Sequence, residues 1–525
     1  MAENFASELK FHPDPSFVSQ IISGITQGFD IGFEGPERCS VANNMSSATQ
    51  HKTVIQQYID KEVLAGRIKG PFPEPPFQFF RCSPIGVTPK KDPNKYRMIM
   101  NLSAPKGDSI NDSINKQSFS LSYSTVDDAM NIILSLDQGC FLSKLDVEAA
   151  FRCVPVKKSQ WNLLGFTWEN KFYYDTVLTM GGRSSPYIFN VIAEAVQWIL
   201  VNNYKNKFTI HLLDDFLSVE APKDKGKALS NMIYVFNLLG IPINFDKVEG
   251  PSTCIEFLGI TLDTVAMESR LSMSKINELV KKLSLFQGRK KCTQKEMLSL
   301  VGSLSFACKV VRAGRSFLAK MIHLAYSVKQ LHHNIRISNH IQQDISIWKV
   351  FLKHWNGRNL FLCKEPLSYG AEFSTDASGS LGFGGFHSDE WFTEPWSSRQ
   401  AVKWDIVAKE LYPILIAGQE WGSGWGGKRI LVSCDNKSTV AAINKGYSNK
   451  TLLGTMLRAL QFLSMKFNFY LTAKHIPGKQ NTLSDLLSRL QVKEFLKIRP
   501  SAQGRRVKIT QDPLVICKRA SRDFC

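Results

Sequence analysis

HLLDDFLSV, residues 211–219, sets two adjacent aspartates, Asp214 and Asp215, inside an otherwise apolar run. Acidic pairs usually sit in solvated turns, yet this one is flanked by Ile210, Leu212, Leu213, Phe216 and Leu217. A strand–turn–strand reading resolves the conflict: the flanks are buried and the carboxylates project at the turn, where a cation can neutralise them. Taken alone, the pair reads first as a hairpin turn with its charges in water. The rest of the chain has to decide.

Upstream, GCFLSKLDVEAAF (139–151) reads as an apolar strand ending at Asp146, with a turn into a short helix. Joined to Asp214 and Asp215 it offers three carboxylates, two on a hairpin tip and one at a strand end. Such a set can hold two Mg²⁺ (or Mn²⁺) ions about 3.5–4 Å apart, an arrangement suited to activating a 3′-hydroxyl and stabilising a leaving pyrophosphate. Magnesium takes hard oxygen ligands and keeps several waters, so a few carboxylates plus substrate phosphates suffice. PKKDPNKYRMIMNLS (89–103) places Lys90, Lys91, Lys95 and Arg97 on a hairpin with a Pro-Asn turn. It can lie over a triphosphate with Arg97 in bidentate contact; a solvated basic hairpin is the plainer alternative.

A second acidic set follows Pro366. Asp376 lies mid-strand in AEFSTDASG, Glu410 in the helix AKELYPILIA, Asp435 at the end of the strand RILVSCD, and Asp485 at the start of the helix SDLLSRL. These converge only if sheet and helices pack as one layer pair. Singly, Asp435 beside Asn436 also suits a helix N-cap, and the macrodipole favours Asp485 without any catalytic role. Two such sets, in order and on suitable elements, are hard to obtain by accident.

Length and composition agree with a multidomain nucleic-acid protein. A chain of 525 residues allows roughly three to four domains. Hydrophobic content of 43% excludes a largely disordered chain. Lys+Arg 65 against Asp+Glu 46 leaves a net charge of +19, which attracts polyanions. No basic amphipathic helix supports a membrane surface as the partner, and no apolar run spans a bilayer. The 11 cysteines lack C-x-x-C pairs or zinc spacing, and MAENFASELK lacks a secretory layout. The expectation is an intracellular protein, cytoplasmic and/or nuclear. Residues 84–270 alternate strand and helix patterns, 272–355 turn helical, strands return after Pro366, and Gln491–Cys525 looks like a loosely ordered basic tail.

The motif order, from the basic hairpin through LSKLDVEAAF, LTMGGRSSPYIFN (178–190), HLLDDFLSV and GIPINFDK (240–247) to EFLGITLD (256–263), resembles a retroelement reverse transcriptase. The resemblance implies an α+β multidomain fold: a right-hand polymerase of fingers, palm and thumb, then an α/β ribonuclease H-like domain with a mixed sheet. It divides the chain into an N-terminal extension (1–50), fingers and palm (51–270), helical thumb and connection (271–365), ribonuclease H-like domain (366–490) and basic tail (491–525). It makes Asp146, Asp214 and Asp215 the polymerase metal ligands, and Asp376, Glu410, Asp435 and Asp485 those of the ribonuclease H, with two ions per site. Lys90 and Arg97 match triphosphate-contacting residues, and Phe151 the bulky gate against a ribose 2′-OH. Met180 lies beside the incoming base, and Lys247 stands where a proton-donating lysine is often placed. Phe257, Leu258 and Gly259 match a primer-gripping hairpin, and His475 in AKHIPGKQN a group assisting product release.

FHPDPSFVSQIISGITQGFDIGFEGP, YSTVDDAM and HIPGKQNTLSDLLSR are similar to DIRS-like retrotransposons. The implied partners are an RNA template, a DNA primer, an RNA–DNA hybrid and deoxynucleoside triphosphates, with no membrane. An element-encoded tyrosine recombinase is expected on a separate or missing segment, which makes the chain a polyprotein fragment or a truncated copy. Three positions depart from the family: Leu212 replaces an aromatic, Met180–Gly181–Gly182 lacks the usual bulky residues, and Asn101 replaces an acid. The competing expectation is a domesticated or decayed copy that only binds nucleic acid, which charge and aromatic content would serve equally.

Overall fold

The apolar flanks of the aspartate pair form two neighbouring strands of one sheet. The computed structural model describes residues 1–89, 96–136, 138–354, 359–360, 371–426, 428–448, 450–510 and 512–515. They fall into two compact units, Met1–Phe257 and Leu258–Cys525.

In the first unit the elements that place the candidate site are strands β1 (Ile85–Pro89), β2 (Tyr96–Met100) and β3 (Phe141–Asp146), helix α1 (Ser185–Asn202), strands β4 (Thr209–Leu212) and β5 (Asp215–Glu220), helix α2 (Lys227–Leu239) and strand β6 (Glu249–Ser252). Strands β6, β3, β5 and β4 form an antiparallel sheet in that order, so β5 is central. That position explains the apolar run: Phe216, Leu217 and Val219 are all buried, because β5 is covered on both faces. Full burial of such a side chain contributes about 1.5–3 kcal/mol. Ser218, the polar member, is satisfied by Thr209 Oγ1 at 2.9 Å. Helices α1 and α2 pack on the sheet, with Phe236 of α2 edge-on to Phe216.

The N-terminal segment belongs to this unit's core through Phe5, Leu9, Ile21, Phe29 and Ile31. Asp14 caps the helix Pro15–Gln27 by accepting from the N–H groups of Ser16 and Phe17. The polar stretch NNMSSATQ (43–50) supplies a short helix, Ser46–Gln50. Asn44 Oδ1 and Ser47 Oγ accept the N–H groups of Ile85 and Val87, tying it to the β1–β2 hairpin.

In the second unit, helices α3 (Met273–Phe286), α4 (Gln294–Ala307) and α5 (Asn339–His354) precede a mixed sheet. Helix α4 starts with a capping box of Thr293 and Glu296. The sheet comprises β7 (Ala371–Ala377), β8 (Gly382–His387), β9 (Glu390–Pro395), β10 (Arg429–Cys434) and β11 (Tyr470–His475), in the order β9-β8-β7-β10-β11. The first three are antiparallel neighbours; β10 runs parallel to β7 and β11. Its helices are α6 (Ile406–Glu420), α7 (Lys437–Lys445), α8 (Thr451–Lys466), α9 (Thr482–Ser488) and α10 (Val492–Ile498). The glycine run of β8 lets α9 lie directly on the strand: a Cβ at Gly384 would collide with Leu487.

The stretch from Gln491 differs from the loose tail expected. Residues 492–498 form α10, whose Phe495 is fully buried against Trp391 and Phe386. Val507 N–H then donates to the Trp391 carbonyl at 2.7 Å. Val492, Phe495 and Leu496 at helical spacing carry this docking, a signal outweighed in the sequence by the surrounding charge. Residues 511 and 516–525 of that stretch lie outside the described residues. Among the described residues no helix is long and apolar enough to cross a membrane.

Candidate functional site

The hairpin register places the first set of acids. Asp146, the last residue of β3, lies directly opposite Asp215, the first residue of β5. Leu213 and Asp214 form the turn from β4, with Leu213 at φ 53°, a strained value for a side chain bearing a Cβ. The turn is anchored by Val147 N–H, which donates to the Asp214 carbonyl at 3.0 Å. Thus the turn that carries Asp214 also abuts the strand that ends in Asp146.

Asp146 is almost wholly buried and accepts from Lys247 Nζ at 2.8 and 2.9 Å and from Asn244 Nδ2 at 3.1 Å. Burial, then the charges of Asp214 and Asp146, push Asp215 up to about 6. Asp214 is also raised, by burial and then by Asp146. For Lys247 burial works against the charge, but the hydrogen bond and charge of Asp146 outweigh it and raise the amine. Three carboxylates share one lysine, so excess negative charge remains on hard oxygen donors. This donor set fits divalent cations such as magnesium.

Arg97, on β2, is exposed, with Nη1 3.5 Å from Met180 Sδ, and its charge acts on Asp214. The loop beside Met180 is tightly held at its glycine. Gly181 has φ 120° and a Cβ there would strike the Met100 carbonyl, while Asn111 Nδ2 holds the Gly181 carbonyl at 2.8 Å. Phe151 sits half-buried on the 3₁₀ turn Ala150–Cys153 that follows Asp146, edge-on to Phe189 of α1. Phe257 is buried at the end of the strand Cys254–Phe257, and Leu258 and Gly259 follow with φ of 51° and 79°. Lys90 lies outside the described residues, as do Lys91 and Lys95.

Asn244 was not singled out from the sequence. It begins the short 3₁₀ turn Phe245–Lys247, whose i,i+3 spacing directs both Asn244 and Lys247 to Asp146. Its signal was present in GIPINFDK, but an amide at a turn is so common that only the contact distinguishes it.

The second set gathers around the parallel strands β7 and β10. Asp376 is near the end of β7, Glu410 is in α6, Asp435 directly follows β10, and Asp485 is in the first turn of α9. Asp376 is buried, accepting from Ser488 Oγ and, at 3.4 Å, from Asn481 Nδ2. Burial raises it to about 6 against the Ser488 hydrogen bond, with the charges of Asp435 and Asp485 adding to the rise. Glu410 is only 4% exposed, and burial, then Asp376 and Asp435, push it up to about 9. Its Oε2 has no hydrogen-bond partner. An orphaned, buried carboxylate oxygen beside further acids fits a bound cation.

Asp485 is more exposed and pairs with Arg489 at 2.8 Å. His475, at the end of β11, places Nε2 3.1 Å from the Asp435 carbonyl rather than from a carboxylate. Ser488, Asn481 and Cys434 are residues of this cluster that sequence reasoning missed. The first two stand one turn of chain to either side of Asp485, where polar residues ordinarily read as helix surface.

Comparison with known proteins bears on the family and the fold. Residues 88–262 match the family described as reverse transcriptase (RNA-dependent DNA polymerase). The Retrovirus-related Pol polyprotein from transposon opus of Drosophila melanogaster is 22% identical, over 78% of this chain and 39% of that polyprotein. The chain thus spans about two fifths of the length of this curated relative. A foamy viral protease-reverse transcriptase solved in complex with double-stranded DNA gives a TM-score of 0.52 at 17% identity, covering 90% of this chain and 82% of that one. At this identity the likeness concerns the fold, a mixed α/β fold consistent with a polymerase. The chain carries a reverse transcriptase domain and is a homologue of a retrotransposon Pol polyprotein.

Proposed function

We propose that this chain is the RNA- and DNA-directed DNA polymerase of a DIRS-like retrotransposon, with a ribonuclease H that degrades RNA in RNA–DNA hybrids. The observation that carries the polymerase reading is the direct pairing of Asp146 with Asp215, with Asp214 on the adjoining turn. In this reading residues 51–270 are fingers and palm, 271–365 thumb and connection, and 366–490 the ribonuclease H-like domain.

Magnesium ions held by Asp146, Asp214 and Asp215 would supply Lewis acidity at the primer 3′-oxygen and the triphosphate, and those held by Asp376, Glu410, Asp435 and Asp485 would do so at a scissile phosphodiester. The protein residues do the rest. Asn244 and Lys247 orient Asp146, and Lys247, charged beside that carboxylate, gives a proton to the leaving pyrophosphate. Arg97, with Lys90, binds the triphosphate, and Met180 lies beside the base. Phe151 closes the space a ribose 2′-OH would need, and its packing on Phe189 limits its retreat. Phe257, Leu258 and Gly259 hold the primer, and His475 assists release of cleaved RNA.

Primer extension tests the reading. The purified chain should extend a DNA primer on an RNA template with Mg²⁺, and Asp214→Asn should abolish extension while leaving binding intact. Binding without extension by either protein would instead support the non-catalytic copy. Independently, the chain should degrade the RNA strand of a hybrid, and Glu410→Gln should stop that degradation without affecting extension.

A further inference from the structure

Cys434 is fully buried at the end of β10, beside the second set of acids. Its sulfur and carboxylate oxygens of Glu410 and Asp435 lie within 4.8 Å of one another, the only group of three such donors among the described residues. Hard-metal chemistry has no use for this thiol, since magnesium selects oxygen donors. The same three groups suit a softer ion: zinc-class cations combine thiolate at about 2.3 Å with carboxylate oxygen at about 2.0–2.2 Å.

One further observation points to a ligand here. Glu410 is 4% exposed, and while one oxygen faces the Ala377 backbone N–H, Oε2 has no partner. Around the sulfur, the Asn436 N–H points at Sγ from 3.4 Å and the Asn436 carbonyl accepts from the thiol at 3.9 Å; burial and the neighbouring carboxylates favour the neutral thiol, so a cation has to displace its proton.

We propose that Cys434, Glu410 and Asp435 form a site for one soft divalent cation of the zinc class, which competes with magnesium for the same carboxylates. The competition rests on the ribonuclease H reading; the binding site does not. On binding, the S–H bond breaks, a sulfur–metal bond forms and the proton passes to solvent, with no change of oxidation state.

Cadmium, a spectroscopic stand-in for zinc, tests the site in the metal-free, full-length chain. Equilibrium dialysis would count bound Cd²⁺ while the ultraviolet cadmium–thiolate charge-transfer band is followed. The wild type should take up one more equivalent than Cys434→Ser, and the difference should carry the band. Glu410→Gln, which keeps the sulfur, should weaken the same equivalent at least about tenfold, whereas binding to other thiols would be unaffected. Unchanged stoichiometry and band in Cys434→Ser, or unchanged affinity in Glu410→Gln, would overturn the proposal. Thermal melting of each variant establishes that it is folded, and Cys434→Ala replaces the serine variant if that one is not. In a second arm, zinc should inhibit hybrid cleavage by the wild type at concentrations at least about tenfold below those needed for Cys434→Ser, each normalised to its own zinc-free rate. Equal sensitivity would overturn the competition. A wild type with no nuclease activity would refute the ribonuclease H reading, while the cadmium titration still decides the site.

Discussion

His211 lies three residues before the aspartate pair, but its role is in the core. Its ring stacks on Phe216 with centroids 5.2 Å apart, and Nδ1 and Nε2 lie 2.5 and 3.3 Å from the amide oxygens of Gln197 and Asn190. Burial pulls its pKa down from 6.5 to about 4, so the folded protein holds a neutral ring. The folded value is below the unfolded one, so this contribution is present above about pH 6.5 and is lost as pH falls through 4, a span worth up to about 3 kcal/mol. The melting temperature should therefore drop between pH 6.5 and 4, and the drop should be smaller in His211→Gln, as calorimetry at matched ionic strength would show. Phe151 supports a functional prediction at this scale. Shortening it in Phe151→Val should raise ribonucleotide incorporation relative to deoxynucleotide by about tenfold or more, measured as a ratio of kcat/KM values. A ratio equal to wild type would remove Phe151 from the gate.

The turn that carries Phe151 is held by its neighbour. Arg152 bonds Glu62, on the helix Lys52–Leu64, at 2.8–2.9 Å and Asp175, at the end of the strand Lys171–Asp175, at 2.5 Å. Arg67 forms a second, bidentate pair with Glu62. Burial pushes Asp175 up to about 6 despite Arg152, whereas the two arginines overcome burial and keep Glu62 below its ordinary value. Removing Arg152 leaves Asp175 buried without its counter-charge, while Glu62 keeps Arg67. Arg152→Ala should cost about 3–5 kcal/mol in urea unfolding. Of the helix, the strand and the turn, the turn after Asp146 was individually legible in the sequence and the strand was not. Nor was their meeting, since an arginine after a phenylalanine reads as a surface charge until tertiary packing buries it.

At the scale of the molecule, the helical segment after residue 271 and the mixed sheet belong to one compact unit, although their sequence patterns differ sharply. The connection is a buried ion pair: Asp344 of α5, fully buried, meets Arg458 of α8, which also lies 4.7 Å over the ring of Phe317. Ser316 Oγ adds a hydrogen bond to the Gly446 carbonyl, and Phe351 packs near Phe462. Arg458→Met should destabilise this unit by about 3–5 kcal/mol because Asp344 remains buried and unpaired, and adding Asp344→Leu should recover most of the loss. Calorimetry checks both, with α5 and the sheet expected to melt in one transition.

What the sequence determined by itself was local and periodic: the strand–turn–strand around Asp214, the basic hairpin, the helices after residue 271, and the order of the acid-bearing elements. Those follow from side-chain spacing and turn chemistry, which act over a few residues. Tertiary structure alone decided which groups share a charge. It placed Asp146 opposite Asp215, brought Asn244 and Lys247 to the same carboxylate, and left Glu410 Oε2 without a partner near Cys434. These outcomes depend on register and on burial between segments distant in the chain, and the electrostatic consequences of burial have no signature in the order of residues.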